Sequence, residues 1–336
     1  MMNAKIHSFA HFLPERMVSS DEIEDHLITQ NPSFRISRGV IEQLTKITIR
    51  PIADADTQAS DLASQAGKQS LIKSNLKESE IDLLIYASAS QDITEPATAN
   101  IVQTKIGLDC PVFDLKNACN SFLNGLEVAQ AFVQTGDYQN ILITTGEIPL
   151  RLLNYNFTSK QDFKDNFASF TLGDAGGAAV VSQTSTQAST LYKKFYSNGT
   201  FWEAATVLGG GSMYPFDLKK FSFYGDPNKL KKGFLQFTNG PLKEMWQTTG
   251  YDLSTIKAIF IHQVASAMTD ETIHFLGFPI EKIVRTVEHH GNLASASLPT
   301  AISQSIENNT VSKGDLVLIV GLASGISGAL WLLRIE

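Results

Sequence analysis

One cysteine of this chain stands where a nucleophile is expected. Cys119 lies in the stretch DLKNACNSFLNG (114–125), directly before a run with apolar residues at helical spacing. The start of a helix offers unpaired N–H groups and the positive end of the helix dipole, and both favour the thiolate, the nucleophilic form of cysteine. A free cysteine is otherwise a small buried apolar residue. That plainer interpretation suits Cys110, which precedes a proline and has no such setting.

Two residues in the second half of the chain are further candidates for a site. His262 closes the apolar part of TIKAIFIHQVA (255–265), and the carboxyl ends of strands are where sites form in open α/β sheets. Asn292 follows a glycine in EHHGNLASASLP (288–299), before small residues that open a helix. Alone, each has an ordinary explanation, as a satisfied structural histidine and a turn asparagine.

The elements that must position these residues repeat in the two halves. The first half has predicted strands at 81–90 and 140–147, a helix from Cys119 to about Gly136, and a Gly-rich turn into a strand over 172–182. The second half has predicted strands at 255–265, 315–325 and 327–335 and a helix at 298–309. Apolar strands that alternate with helices are typical of parallel-type sheets covered on both faces.

We therefore expect an α/β protein with two similar halves, residues 1–183 and 184–336, that meet in a polar run near residue 183. The sheets should be stacked, with helices between and outside them. The segment from about 191 to 250 is less regular and rich in aromatic residues, glycine and lysine, which suggests a substrate-handling insertion.

Composition excludes several classes of protein. The 336 residues carry a net charge of −7 and no basic block, which disfavours nucleic-acid binding. Two cysteines cannot build a disulfide framework, which favours a reducing cytoplasm. The N-terminus has no long apolar segment of a secretory signal. The run VLIVGLASGISGALWLL (317–333) predicts strand, turn and strand, because glycine and serine interrupt it, and not a membrane anchor.

The three candidates occur in the order and context of a known superfamily. The chain resembles the thiolase-like condensing enzymes, and ketoacyl-ACP synthase III in particular, over nearly its full length. Supporting matches are PATAN (96–100), LGDAGGAAV (172–180) and GLASGISGAL (321–330). The resemblance implies a duplicated five-layered αβαβα fold, a homodimer, acyl-CoA or acyl-ACP thioester substrates, an acyl carrier protein as partner, and no metal or redox cofactor.

The resemblance also implies a role for each candidate. Cys119 takes an acyl group from a thioester. His262 and Asn292 direct N–H groups at the carbonyl oxygen of the second substrate and stabilise the enolate that forms when a malonyl thioester loses carbon dioxide. The backbone N–H groups of Cys119 and Gly325 form the oxyanion hole. The implied enzyme is a Claisen-condensing acyltransferase that makes a β-ketoacyl product in fatty-acid-related or secondary metabolism.

Two features depart from the housekeeping enzymes where they bind coenzyme A or the carrier. After HQ, the residues Val264–Ala267 lack the asparagine and the arginine of the family, and the RTGI signature is replaced by something like KITI (46–49). We therefore do not expect this chain to bind the phosphate of coenzyme A through the residues that the family usually employs. The lysines of NKLKKG either supply charge instead or form a solvated helix face; they are Lys229, Lys231 and Lys232.

A third departure, Glu95 in TEPATAN, opens an alternative chemistry. A glutamate before this proline resembles OleA-type enzymes, which join two fatty acyl thioesters head to head without a malonyl donor. There the glutamate acts across the dimer as a general base on the acyl α-carbon. The GLASGIS turn also resembles the corresponding turn of the OleA branch in length, being slightly shorter than the turn of the housekeeping enzymes. The other interpretation of Glu95 is an exposed loop residue.

The sequence is compatible with other functions, and it allows two interpretations of one group of aromatic residues. Acyl transfer from Cys119 to an oxygen or nitrogen nucleophile is a rival, although it needs no enolate stabiliser such as Asn292. A non-enzymatic scaffold is disfavoured by the intact Cys–His–Asn set. Wide-channel lining and core packing both explain six aromatic residues, Phe157, Phe163, Phe167, Phe170, Phe201 and Trp202.

Overall fold

The structure is a computed structural model that describes residues 2–34, 36–234 and 239–336. Its strands are β1 (Asn3–Phe12), β2 (Met17–Ser19), β3 (Ile49–Pro51), β4 (Leu83–Ala87), β5 (Val112–Leu115), β6 (Asn140–Glu147), β7 (Ala175–Thr184), β8 (Thr190–Ser197), β9 (Ala205–Thr206), β10 (Tyr224–Gly225), β11 (Ala258–Ile261), β12 (Leu316–Ala323) and β13 (Ser327–Arg334). Its α-helices are α1 (Ser20–Gln30), α2 (Val40–Thr45), α3 (Ala59–Ser74), α4 (Thr98–Ile106), α5 (Ser121–Thr135), α6 (Lys160–Asn166), α7 (Pro227–Phe234), α8 (Asn239–Thr249), α9 (Ser266–Leu276), α10 (Val287–His290) and α11 (Ser297–Glu307).

The first large sheet has the strand order β1-β7-β6-β4-β5. Strand β4 is buried throughout because helices cover both faces of the sheet. Side chains alternate between the faces of a strand, so Leu84 and Tyr86 pack with α3 and α4, whereas Leu83 and Ile85 pack with α5.

The second large sheet has the order β11-β12-β13-β8. One face of this sheet shares a core with α5, α11 and the first sheet. Ile85, Phe260 and Trp331 are all buried in this shared core. Its other face packs against α8 and α9. The layers are thus helix, sheet, helix, sheet and helix, which confirms the five-layered α/β architecture predicted from the resemblance.

Both sheets are mixed, so the predicted parallel-type sheets are found only in part. Strand β4 is parallel to β5 and β6, and β11 is parallel to β12. Strands β12 and β13 are antiparallel, because only Ser324–Ile326 separates them and a connection this short cannot cross over. They are the strand, turn and strand predicted for the C-terminal run, and that prediction is confirmed.

The chain passes between the two large sheets close to the predicted boundary of the halves. Strand β7, in the first sheet, ends at Thr184, and β8, in the second sheet, begins at Thr190. The predicted irregular insertion from about residue 191 is therefore wrong at its start, because β8 pairs along its length with β13. After β8, short strands and helical turns follow up to α7.

Candidate active site

Cys119 lies in a tight turn between β5 and α5. Ala118, the residue before it, has φ +47°, a left-handed conformation that costs a residue with a Cβ about 1 kcal/mol. Ser121 holds the turn, since its Oγ accepts from the N–H of Asn117 at 2.8 Å and donates to the carbonyl of Ala118 at 2.7 Å. Strained residues that the surroundings hold in place are frequent at functional sites.

Asn120 fastens this turn to the second sheet. Its Nδ2 donates to Oγ of Ser327 at 3.0 Å. Its Oδ1 lies against the backbone of Gly321, where an added Cβ would be only 2.3 Å from that oxygen. Both contacts belong to β12 and β13, whose connecting turn contains Gly325 with φ +115°. The sequence-predicted oxyanion partners, Cys119 and Gly325, are therefore held on neighbouring turns.

His262 extends β11 beside β12. Its N–H donates to the carbonyl of Val320 at 3.0 Å, one residue before the glycine that Asn120 touches. The ring is buried, and neither ring nitrogen has a hydrogen-bond partner among the described residues. Burial lowers the pKa of His262 to about 4. At neutral pH the imidazole is therefore uncharged, with one donor and one acceptor nitrogen.

Gln263 joins the end of β11 to the segment that leads to Asn292. Its Nε2 donates to the carbonyl of Val284 at 2.6 Å. Its Oε1 accepts from the N–H groups of Thr286 and Val287, at 3.2 and 3.3 Å. Sequence reasoning assigned Gln263 no role beyond its place in HQ, and its position at the end of a predicted strand was the only signal for such a bridge.

The backbone of Asn292 is bonded on both sides to the turn that precedes β7. Its N–H donates to Thr171 at 2.7 Å, and its carbonyl accepts from the N–H of Gly173 at 3.0 Å. Its Oδ1 accepts from the N–H of Ala294 at 3.0 Å. The side-chain oxygen is thus occupied, and the amide nitrogen is the donor that Asn292 offers to a ligand.

The charge state of Cys119 differs from the sequence prediction of a thiolate. Burial, followed by the nearby negative charge of Glu147, raises the pKa of the Cys119 thiol to about 12. Helix α5 begins only at Ser121, so Cys119 precedes the helix and does not lie in its first turn. The surroundings of Cys119 therefore favour the neutral thiol over the thiolate at neutral pH.

Glu95 lies outside the site of its own chain. It is exposed, in a loop (91–96) that also exposes 43% of Ile93. Within a single chain, Glu95 is therefore an exposed loop residue. It is not the buried general base that the alternative chemistry requires.

The lysines of α7 lie on a solvated helix face. Lys229, Lys231 and Lys232 are all exposed, and Nζ of Lys231 is 2.7 Å from a carboxylate oxygen of Glu271. The replaced RTGI segment is partly exposed as well, since Lys46 is exposed with φ +62°.

Core packing accounts for four of the six aromatic residues. Phe157, Phe163, Phe167 and Phe170 form ring pairs with centroids 5.3 to 6.1 Å apart. They share an apolar cluster with α1 and α2. Phe201 instead packs with Ile326, next to the Gly325 turn, and Trp202 is 44% exposed.

Neither a metal site nor a membrane-spanning helix is found in the part of the chain that the structure describes. There, no group of three or more His, Cys, Asp or Glu side chains is arranged to hold a metal ion. No helix among these residues combines the length and the apolar character needed to cross a membrane.

Comparison with known proteins connects this geometry to one family. The family model described as 3-oxoacyl-[acyl-carrier-protein] synthase III matches residues 113–199, and the model for its C-terminal part matches residues 246–335. The β-ketoacyl-[acyl-carrier-protein] synthase III of Neisseria meningitidis is 28% identical over 99% of this chain and 100% of its own length. The enzyme of the same name from Clostridium perfringens is 27% identical over the full length of both.

Solved structures of OleA from Xanthomonas campestris have the same fold. One OleA variant superposes with a TM-score of 0.85 at 25% identity, covering 99% of this chain and 98% of that one. Another, with bound lauric acid and lauroyl-CoA, superposes with a TM-score of 0.84 at 25% identity, covering 99% of each chain. The chain thus belongs to the thiolase-like condensing enzymes, as a ketoacyl-ACP synthase III-like member with OleA-like features.

Proposed function

We propose that this protein catalyses a Claisen-type condensation at Cys119. An acyl group is transferred to the cysteine, and a malonyl thioester then loses carbon dioxide to form an enolate. The enolate carbon attacks the acyl carbonyl and displaces the Cys119 sulfur, which gives a β-ketoacyl product. The observation that carries the proposal is a chain of contacts through the second sheet. Asn120, beside Cys119, contacts Gly321 of β12, and the N–H of His262 is bonded to the preceding residue of that strand. Gln263, next to His262, is bonded in turn to the segment that leads to Asn292.

Acylation requires that the neutral thiol lose its proton as the sulfur–carbon bond forms. Sγ of Cys119 attacks the thioester carbonyl, and the N–H groups of Cys119 and Gly325 stabilise the oxyanion. We assign the uptake of this proton to His262, because its ring nitrogens have no hydrogen-bond partner among the described residues. The proton then passes to the departing thiolate of coenzyme A or the carrier, and His262 returns to its neutral form.

Condensation needs donors at the carbonyl oxygen of the second thioester. When the malonyl carboxylate leaves as carbon dioxide, its electron pair forms an enolate, and the N–H groups of His262 and Asn292 stabilise the negative oxygen. The enolate carbon attacks the acyl carbonyl on Cys119, the carbon–sulfur bond breaks, and the released thiolate takes a proton from water. A neutral imidazole suits this role because it keeps one N–H donor without a competing acidic proton.

Intact-mass analysis tests the first step. The protein is incubated with a panel of acyl-CoA donors, and a covalent adduct is expected that disappears in Cys119→Ala. Cys110→Ala is the matched control, because it removes the other cysteine and should keep the adduct. If no acyl donor modifies the wild-type protein, the proposed function is wrong.

Decarboxylation tests the second step separately. A Cys119→Gln variant cannot be acylated, and it should still release carbon dioxide from malonyl-ACP if His262 and Asn292 stabilise the enolate. Absence of this release, with acylation of the wild-type protein intact, would favour the alternatives.

A second candidate is the head-to-head condensation of two acyl thioesters, as in OleA. It is supported by the exposure of Glu95 on a projecting loop and by the structural likeness to OleA. In this chemistry the carboxylate of Glu95 enters the site of a second protomer and removes a proton from the acyl α-carbon. Unimpaired condensation in Glu95→Ala would eliminate it.

The assembly and setting follow from the same proposal. We infer a homodimer, an acyl carrier protein as a partner and a cytoplasmic location, in keeping with two free cysteines and a net charge of −7. The acyl donor that modifies Cys119 fastest in the mass experiment identifies the substrate class.

A further inference from the structure

Glu147 is a buried carboxylate that the proposed mechanism does not use. It ends strand β6 and is 1% exposed. Removing a carboxylate from water costs several kcal/mol unless hydrogen bonds compensate. If this position served packing alone, a neutral side chain would have a lower free-energy cost of burial than a carboxylate.

Two loops from opposite halves of the chain donate to this carboxylate. Oε1 accepts from Oγ of Ser88 at 3.0 Å and from the N–H of Ala89 at 2.8 Å. Oε2 accepts from the N–H and the Oγ of Ser90, at 3.1 and 2.7 Å. Oγ of Ser295, which is 148 residues away, also donates to Oε1. Both oxygens are thus fully engaged as acceptors, which leaves little capacity for action as a proton-transferring base.

Ser295 belongs to the turn that presents Asn292. Ala294 is the first residue of this turn, and its N–H donates to the side-chain oxygen of Asn292. Ala294 has φ +48°, so the turn is strained and needs contacts that hold it. The hydroxyl of Ser295 supplies them, since it contacts both Glu147 and, at 2.5 Å, Oγ1 of Thr145.

The loop 88–90 follows β4 and continues into the loop that carries Glu95. The hydroxyl of Tyr86 fixes it as well, because its one proton is shared between the carbonyl of Ser90 at 2.9 Å and that of Gly146 at 3.0 Å. Glu147 therefore joins the Asn292 turn to the base of the Glu95 loop at the carboxyl ends of β4 and β6.

We propose that Glu147 is a positioning residue of the condensing site, which clamps the Asn292 turn to the loop 88–90 and so aims the Asn292 amide. The proposal rests on the proposed function, because aiming matters only if Asn292 stabilises an enolate. The carboxylate also faces ionisable groups. Its negative charge contributes to the raised pKa of Cys119, Tyr86 and Asp174, in each case after burial.

The test compares Glu147→Gln with Glu24→Gln. Glu24 is a matched control, since it is equally buried and accepts from two backbone N–H groups, of Gly39 and Ile41, but in α1. Loss of the charge in Glu147→Gln should make alkylation of Cys119 by iodoacetamide at least about threefold faster at pH 8, because more of the thiol is then ionised. Condensation turnover should fall at least about tenfold while acyl-enzyme formation is retained.

Ser295→Ala removes one donor and keeps the charge, and it serves if Glu147→Gln does not fold. Its condensation turnover should fall while its alkylation rate stays at the wild-type value, a split that general destabilisation does not produce. The proposal is overturned if Glu147→Gln turns over like Glu24→Gln, whatever its alkylation rate, or if Ser295→Ala turns over like the wild type. Alkylation needs no substrate, so a failure of the proposed function leaves this effect of Glu147 measurable.

Discussion

Asn120, the neighbour of Cys119, donates from Nδ2 to Oγ of Ser327 at 3.0 Å, and its Oδ1 packs on the bare backbone of Gly321. This contact places the nucleophile turn of the first half against the central strands of the second. It also explains a glycine inside a buried strand, where no turn requires one.

Gly321→Ala should therefore disturb both stability and acylation. The new Cβ would lie 2.3 Å from Oδ1 of Asn120 and 2.6 Å from Cδ1 of Leu123, so both of these side chains must move. We expect a loss of about 1–3 kcal/mol in the free energy of unfolding, measured by urea denaturation, and slower acylation of Cys119. Gly199→Ala is the control, since a Cβ there meets open space. Wild-type acylation in Gly321→Ala would contradict this account of the turn.

Asn292→Ala should separate the two chemical steps. It removes the amide donor at the enolate oxygen and leaves the turn of Cys119 untouched. Malonyl decarboxylation should slow by about 100-fold or more, as for the loss of one oxyanion donor, whereas the acyl adduct on Cys119 should still form. Stopped assays of carbon dioxide release, paired with intact-mass spectra, measure both steps. Equal losses in both would mean that Asn292 acts in acylation too.

Alkylation of Cys119 should continue to accelerate at alkaline pH. Because burial and Glu147 raise its pKa to about 12, its thiolate fraction grows tenfold for each pH unit through pH 10. The experiment uses Cys110→Ala protein and iodoacetamide, with mass spectrometry as the readout. The same protein unfolded in urea should level off near the ordinary thiol pKa. A plateau of the folded protein below pH 9 would show that the start of α5 stabilises the thiolate after all.

His262 should make the fold less stable in mild acid. Its pKa is about 4 in the folded chain and 6.5 as an ordinary value, so the unfolded chain binds a proton first as the pH falls. Stability that is complete above pH 6.5 is therefore lost as the pH decreases toward 4. In His262→Gln the unfolding free energy should fall by about 2 kcal/mol less between pH 6.5 and 4.5. The exposed His274→Gln serves as the control, and equal slopes in both variants would refute the effect.

Arg50 should destabilise the fold. The side chain is fully buried, and its one described hydrogen bond runs from Nη2 to Oγ of Ser20 at 2.6 Å, while Nε and Nη1 lack partners among the described residues. Burial lowers the pKa of Arg50 to about 10. Arg50→Met should raise the unfolding free energy by about 1–3 kcal/mol in urea titrations. The exposed Arg16→Met should change little, and a clear loss of stability in Arg50→Met would mean that the guanidinium has a partner.

Local sequence pattern was sufficient for much of the fold. The strand predicted at 140–147 is β6 with the same bounds, and the helix predicted at 298–309 is α11 within two residues. One segment is an uninterrupted apolar run and the other has apolar residues at helical spacing. Both patterns predict secondary structure from neighbouring residues alone. The prediction of parallel sheets holds only in part, because pairing direction depends on connections, and the three-residue turn after β12 permits only an antiparallel partner.

The identity and order of Cys119, His262 and Asn292 were visible in the chain, since each stands at a strand end or a turn that the sequence marks. What only packing decided is how these residues are held and charged. Burial is a property of the assembled layers, and it keeps Cys119 protonated and His262 neutral. The clamp on Asn292 is invisible in sequence, because Glu147 and Ser295 are 148 residues apart and meet only when the turn before α11 packs against the end of β6.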